Sequence, residues 1–204
     1  MHVLTLLADA GFFAALAVLG SALARTVVAH VTPFDDGPVP RRPNVTAIAA
    51  AAAVLGLCAG ARSAGAAELG LCAVLTVVLA GICYADVKCG LVPDVFTLVP
   101  LAAVLAGDVL LQHWAGLGAV AIVAGPFCIA AMFSKGRGMG WGDVKLVALG
   151  AAVLGAQPAL LAFAAGSFAA VAVAAVRGRR SAPIAFAPYL AAGVAVVVAA
   201  RGVA

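Results

Sequence analysis

Apolar runs long enough to cross a lipid bilayer alternate along this chain with short polar breaks. Taking about 20 apolar residues per crossing, the runs predict eight transmembrane helices, at 3–24, 45–61, 66–85, 95–111, 114–133, 143–156, 157–176 and 183–200. Two are weak by that measure: the second rests on an alanine run from Ala49 to Ala53, and the sixth holds 14 residues before Gln157-Pro158. The breaks leave no room for a soluble domain. The expected fold is all-α, a polytopic membrane helix bundle in which residues 1–204 form one integral membrane domain. The first run ends in Ala22-Leu23-Ala24, which looks like a small-residue cleavage site, but only His2 precedes it and Arg25 follows. A secretory signal places its positive charge ahead of the apolar stretch, so this run reads as a span.

Composition points the same way: 66% of the residues are hydrophobic, 10% are charged, and the mean hydropathy of +1.20 lies far outside the range of soluble domains. Charge adds an orientation. Arg25, Arg41, Arg42, Lys88, Lys135, Arg137, Arg177, Arg179 and Arg180 follow odd-numbered spans, and Lys145 lies just inside the sixth, whereas the other side holds only Arg62 and Arg201. By the positive-inside bias, both termini are expected outside and the loops after spans one, three, five and seven in the cytoplasm. The net charge of +4 is accounted for by this asymmetry. No basic cluster is interleaved with aromatics, so the expected partner is the lipid bilayer and not nucleic acid.

The eight acidic residues stand out against this background. Asp86 falls at the inner end of span three and Asp143 at the inner start of span six, so both reach one membrane face. Carboxylates beside apolar spans are expensive and mark function by default. Asp9, Glu68 and Asp108 fall toward the outer ends, within reach of interfacial water, and Asp35 and Asp36 read as solvated turn residues of a Pro-rich loop. Each key aspartate also has a local explanation: Asp143 as the cap of a helix starting at Val144, Asp94 as the cap of span four, Asp86 as a helix end paired with Lys88. What raises the functional reading is the company they keep. Asp143 follows a glycine ladder, Gly136, Gly138, Gly140 and Gly142, which would let the backbone take strained angles and let an extended peptide approach. A phosphate-cradling loop is excluded, because no Gly-Lys-Ser/Thr follows.

The segment Asp86-x-Lys88-x-x-x-Val92-Pro93-Asp94, followed some fifty residues later by Gly140-x-Gly142-Asp143-x-Lys145-Leu146, resembles the prepilin peptidases, membrane aspartyl proteases of the GxGD type. The stretch Pro183-Ile184-Ala185-Phe186-Ala187-Pro188-Tyr189-Leu190 looks like that family's C-terminal signature, so the resemblance covers about residues 66–200. It implies that Asp86 and Asp143 are the catalytic pair and that Lys88, Pro93, Asp94, Gly140, Gly142 and Lys145 shape the site. It also implies a substrate: a type IV pilin or pseudopilin precursor with a short basic leader, cut after a glycine at the cytoplasmic face of a bacterial inner membrane. Larger members carry a cytoplasmic insert with paired CxxC motifs and also N-methylate the new pilin terminus. Here the loop of residues 25–44 has no cysteine, and Cys58, Cys72, Cys83, Cys89 and Cys128 form no CxxC pair. No metal site and no cofactor are expected, methyl transfer is in doubt, and the cysteines read as packing residues.

Two carboxylates within hydrogen-bonding distance share one proton and titrate as a unit. The ionised member would activate water and the protonated one would donate to the developing oxyanion and the leaving amine. The dipole of span six tilts the base role toward Asp143. The alternatives are a proton-coupled transporter or channel using membrane aspartates, a presenilin-like intramembrane protease, and a catalytically silent assembly subunit. The first would place its carboxylates near the bilayer midplane. The second usually has a Tyr-Asp dipeptide, whereas here Ala85 separates Tyr84 from Asp86.

Overall fold

In the computed structural model, residues 2–29, 42–62, 65–134, 140–176 and 185–202 are described. They form eight α-helices and, among the described residues, no strand: α1 (His2–Val28), α2 (Val45–Ala61), α3 (Ala66–Cys89), α4 (Asp94–Leu110), α5 (Ala115–Ser134), α6 (Trp141–Leu154), α7 (Ala156–Val176) and α8 (Ala187–Arg201). Every predicted run corresponds to one helix, the two weak ones included. By length and composition, α1, α3, α5 and α7 are each long enough to cross a membrane. The others are shorter, and α6, at 14 residues, is the shortest. Asp35, Asp36, Gly136, Gly138, Pro183, Ile184 and the basic residues Arg41, Lys135, Arg137, Arg177, Arg179 and Arg180 lie outside the described residues.

Two boundaries differ from the expected ones, and both matter for the acidic residues. Helix α3 continues past position 85 because nothing stops it before Gly90, which takes a left-handed conformation (φ 65°, ψ 25°) and donates its N–H to the Asp86 carbonyl at 2.8 Å. Asp86 therefore lies inside the last helical turn and not beyond it. Helix α6 starts at Trp141, with Gly140 as its N-cap residue, so Asp143 is the third residue of the helix and not the cap before Val144.

The helices pack as two groups joined by α8. Helices α1 and α2 form an antiparallel pair leaning on α3, while α6 sits amid α4, α5, α7 and α8. Helix α8 touches α2, α3, α6 and α7 and so closes the bundle. One apolar cluster runs through both groups, from Phe13 and Leu55 through Ile82 and Leu149 to Leu190 and Val198. Lipid offers no hydrophobic drive between helices, so close approach depends on small residues. Gly193 meets the Ala162 backbone and Gly166 the Tyr189 backbone where α7 crosses α8, and Gly20 meets the Val77 carbonyl where α1 crosses α3. Large apolar side chains such as Phe133, Phe168 and Val176 are left on the outer surface, as a lipid-facing bundle requires. Hydroxyls inside the bundle are satisfied locally: Ser21 donates to the Ala17 carbonyl and Thr76 to the Cys72 carbonyl, each at 2.8 Å.

At the end of the bundle away from Asp86, Arg62 gathers three chain segments. It pairs with Glu68 at 2.8 Å and donates to the carbonyls of Val198, at 2.9 Å, and Ala199. Glu68 is thus held by an arginine and does not simply face interfacial water. Asp108 also departs from expectation, since its Oδ2 is buried without a hydrogen-bond partner among the described residues, against the backbone of Gly116.

A Cβ at position 193 would lie 2.2 Å from the Ala162 carbonyl oxygen, whereas one at position 70 meets nothing within 4 Å. Gly193→Ala is expected to cost about 1–3 kcal/mol by forcing α7 and α8 apart, and Gly70→Ala nothing measurable. Thermal unfolding in detergent checks the pair; equal melting temperatures would contradict this packing.

Candidate active site

The site grows from the last turn of α3. Asp86 is 6% exposed and is the one buried charged side chain among the described residues. An isolated carboxylate in that position is strongly unfavourable. Here its Oδ2 accepts the backbone N–H of Ala187 at 3.0 Å. Ala187 is the first residue of α8, whose N-cap residue Phe186 provides no side-chain cap and whose second residue is Pro188. The start of α8 thus lacks a local acceptor for its free N–H groups, and Asp86 fills that role from a different helix. Lys88 does not form the expected local pair with Asp86. Its Nζ lies over the Tyr84 ring, 5.9 Å from the centroid.

Asp143 occupies the third position of α6. Its N–H donates to the Gly140 carbonyl at 3.1 Å, and its Oδ2 lies beside Gly140, 3.6 Å from where a Cβ on that residue would sit. Asp143 is the acidic residue in the first turn of α6, where a carboxylate complements the helix dipole, so the local explanation of its presence holds alongside any other role. Each key aspartate faces a helix N-terminus, Asp86 that of α8 and Asp143 that of α6. A helix dipole therefore favours the ionised form of each, and not of Asp143 alone.

Among the described residues, α3 and α6 have no Cα atoms within 8 Å of each other, yet the Asp143 carboxylate is close enough for its charge to act on that of Asp86. What sets their separation is the second half of the first motif. Pro93, in extended conformation (φ −67°, ψ 138°), is the N-cap residue of α4, and Asp94 is the first residue of that helix and not its cap. Lys145 Nζ reaches Asp94 Oδ1 at 2.5 Å. A Cβ on Gly142 would lie 2.8 Å from the Val92 Cβ. So residues 92–94, which follow Asp86 in the chain, grip residues 142 and 145, which flank Asp143. Gly140 needs no glycine: its φ of −75° and ψ of 148° suit any residue, and an added Cβ would meet only Asp143 Oδ2 at an ordinary 3.6 Å. The expected backbone strain at Gly140 is absent.

Ala187 is the residue that sequence reasoning missed as a partner. The segment around it was legible as a motif, but a backbone N–H leaves no trace in residue type. The available signal was Pro188 opening a helix that has no Ser, Thr, Asp or Asn before it. The cysteines are all free, and among the described residues no group of three or more His, Cys, Asp or Glu side chains is gathered as metal ligands would be.

An added methyl at 142 strikes the Val92 side chain and one at 140 strikes nothing closer than 3.6 Å. Gly142→Ala is therefore expected to lower stability by about 1–3 kcal/mol while Gly140→Ala leaves the melting temperature nearly unchanged. Thermal denaturation of both variants in the same detergent reads the difference.

Comparison with known proteins bears on this site directly. The model of the type IV leader peptidase family matches residues 73–175, half of the chain, a stretch that contains Asp86 and Asp143 but excludes α1, α2 and α8. Two proteins named prepilin leader peptidase/N-methyltransferase, from Burkholderia pseudomallei strains 1026b and K96243, are each 35% identical over 167 residues, covering 72% of this chain and 54% of theirs. The chain thus spans about half the length of the curated relatives it matches. No solved structure matches. The family match and the interlocked motifs lead to one conclusion: the chain belongs to the type IV leader peptidase family.

Proposed function

We propose that this chain is a membrane aspartyl endopeptidase that removes the leader of type IV prepilins or pseudopilins, with Asp86 and Asp143 as its catalytic pair. The observation that carries the reading is the placement of two carboxylates from separate motifs at one end of a membrane bundle, with Asp86 held by the Ala187 N–H and Asp143 near enough for the two charges to interact. The two carboxylates would act on a water and an extended peptide placed between them. The ionised carboxylate takes a proton from that water, and the resulting hydroxide attacks the scissile carbonyl. The protonated carboxylate donates to the developing oxyanion. Collapse of the tetrahedral intermediate breaks the C–N bond as the departing amine gains a proton. Val92, Asp94, Gly142 and Lys145 keep the two carboxylates at working distance. Lys88 and Gly140 contribute no such contact.

The site is assigned to the cytoplasmic face of a bacterial inner membrane, because ten of the twelve basic residues follow odd-numbered helices or lie just inside α6. Both aspartates lie within one turn of a helix end, which disfavours a mid-membrane proton relay. Asp86→Asn and Asp143→Asn are each expected to lower cleavage of a co-expressed prepilin at least about a hundredfold while the protein still accumulates. Asp9→Asn and Asp108→Asn should cut at near wild-type rates. A mobility shift of the pilin band gives the readout, and full processing by Asp143→Asn would remove the assignment.

The relatives' printed name joins peptidase to N-methyltransferase. For this chain we assign the peptidase step alone, since the loop of residues 25–44 carries no CxxC motif. Mass spectrometry of mature pilin, made in cells whose sole leader peptidase is this protein, should find an unmodified N-terminus. A terminus heavier by one methyl group would show that both activities reside here.

A further inference from the structure

We infer that the apolar membrane segment of the substrate docks in a groove between α2, α3, α7 and α8, so that the walls supplied by α2 and α8, outside the family-matched region, help to select what the aspartates cut. This inference rests on the peptidase reading above. The groove has a volume of ≈ 610 Å³. Its walls are small: Ala47 and Ala51 on α2, Ala80 on α3, Ala192 and Ala195 on α8. Residues 47 and 51 stand one helical turn apart, as do 192 and 195, so two opposing walls each present a smooth face on which a helix packs closely. Polar groups stand mainly at one end, where Arg42 and Asn44 form the mouth. Deeper in, the Thr76 hydroxyl is already spent on the Cys72 carbonyl. Tyr189 and Cys83 also line the groove, but alanine and other apolar side chains make up most of it, which suits an occupant that is apolar along most of its length.

Placement identifies that occupant. The wall on α3 runs from Thr76 to Val87, about 16 Å at ~1.5 Å per residue, roughly half of the ~30 Å hydrocarbon core. The same mouth that holds Arg42 is bordered by Val87, next to Asp86, and by Pro188, next to the Ala187 N–H that holds the Asp86 carboxylate. A helix of about eleven residues lying in the groove would emerge at this mouth. Its unwound continuation would then cross the α3–α8 seam directly onto the carboxylates. A lipid acyl chain gains nothing from that alignment, whereas a helix whose flanking peptide bond is to be cut requires it. Catalysis then belongs to α3 and α6, and recognition of the membrane segment to α2, α7 and α8 together with the groove face of α3.

The test uses a photoreactive benzoylphenylalanine at Ala51, in an Asp143→Asn background that retains uncut prepilin, with Ile122 on the exposed side of α5, a helix that does not line the groove, as the control position. Irradiation of membranes should join prepilin to position 51 and not to position 122. In the catalytically intact protein, Ala192→Phe should slow prepilin cleavage at least about tenfold by filling the groove, while Val196→Phe, outward-facing on the same helix, should not. Crosslinks from position 51 only to phospholipid or to the protein's own chain would overturn the inference. So would equal crosslinking at 122, or full-rate cleavage by Ala192→Phe. A wild-type protein that cuts no prepilin at all would instead sink the peptidase reading, and this docking site with it.

Discussion

A carboxylate buried in an apolar bundle must be given a partner or be lost to folding, and in this protein the partner is the first free N–H of another helix. The Asp86–Ala187 hydrogen bond joins the last turn of α3 to the first turn of α8, two segments 101 residues apart. Much else follows from it. Helix α8 opens on Pro188 without a cap of its own, so its start is defined by where Asp86 sits. The carboxylate, in turn, is fixed in direction by an N–H that cannot rotate. One bond therefore both satisfies a costly charge and aims it, and it makes the bundle's closing helix part of the site.

The second constraint is the grip between the two motifs. Helices α3 and α6 have no close backbone approach, so their aspartates would be less firmly spaced without residues 92–94. Val92 against Gly142 sets a minimum separation by contact, and Lys145 with Asp94 supplies attraction across the same joint. An exposed ion pair is worth little alone, of the order of 0–1 kcal/mol. Here its value is geometric, because it holds the first turns of α4 and α6 in one register. Motif residues that look like a catalytic inventory in the sequence are in part the joinery that keeps two carboxylates at a workable spacing.

The helices were legible because a bilayer imposes one length scale, and every apolar run near that length became a helix. The placement of Asp86 and Asp143 at one end of the bundle was legible for the same reason. Chain ends of helices were less so: span three was expected to close at 85, with Asp86 at its end, but only the left-handed Gly90 stops α3. Gly140 misled, since a glycine before an aspartate suggests strain, while the crowding in fact falls on Gly142. Contacts between the segments were invisible for a simpler reason. The Ala187 N–H is the same group in every residue but proline, and the Arg62 clasp uses backbone carbonyls, so neither is encoded by a recognisable side-chain pair.

Helix α8 is pinned at both ends by charges on other helices, Asp86 at its start and Arg62 at its finish. It has 15 residues, a length of about 22 Å, against a hydrocarbon core of about 30 Å. A short helix free to slide would settle this mismatch by shifting along the membrane normal, but one fastened at two points cannot. The bilayer would have to adapt instead, by thinning where α8 meets it. A local dimple in the membrane would draw the headgroup layer, and the water it carries, inward toward the two carboxylates. Hydrolysis beside a lipid core needs that water, and the pinned helix gives it a route that no polar channel through the bundle has to provide.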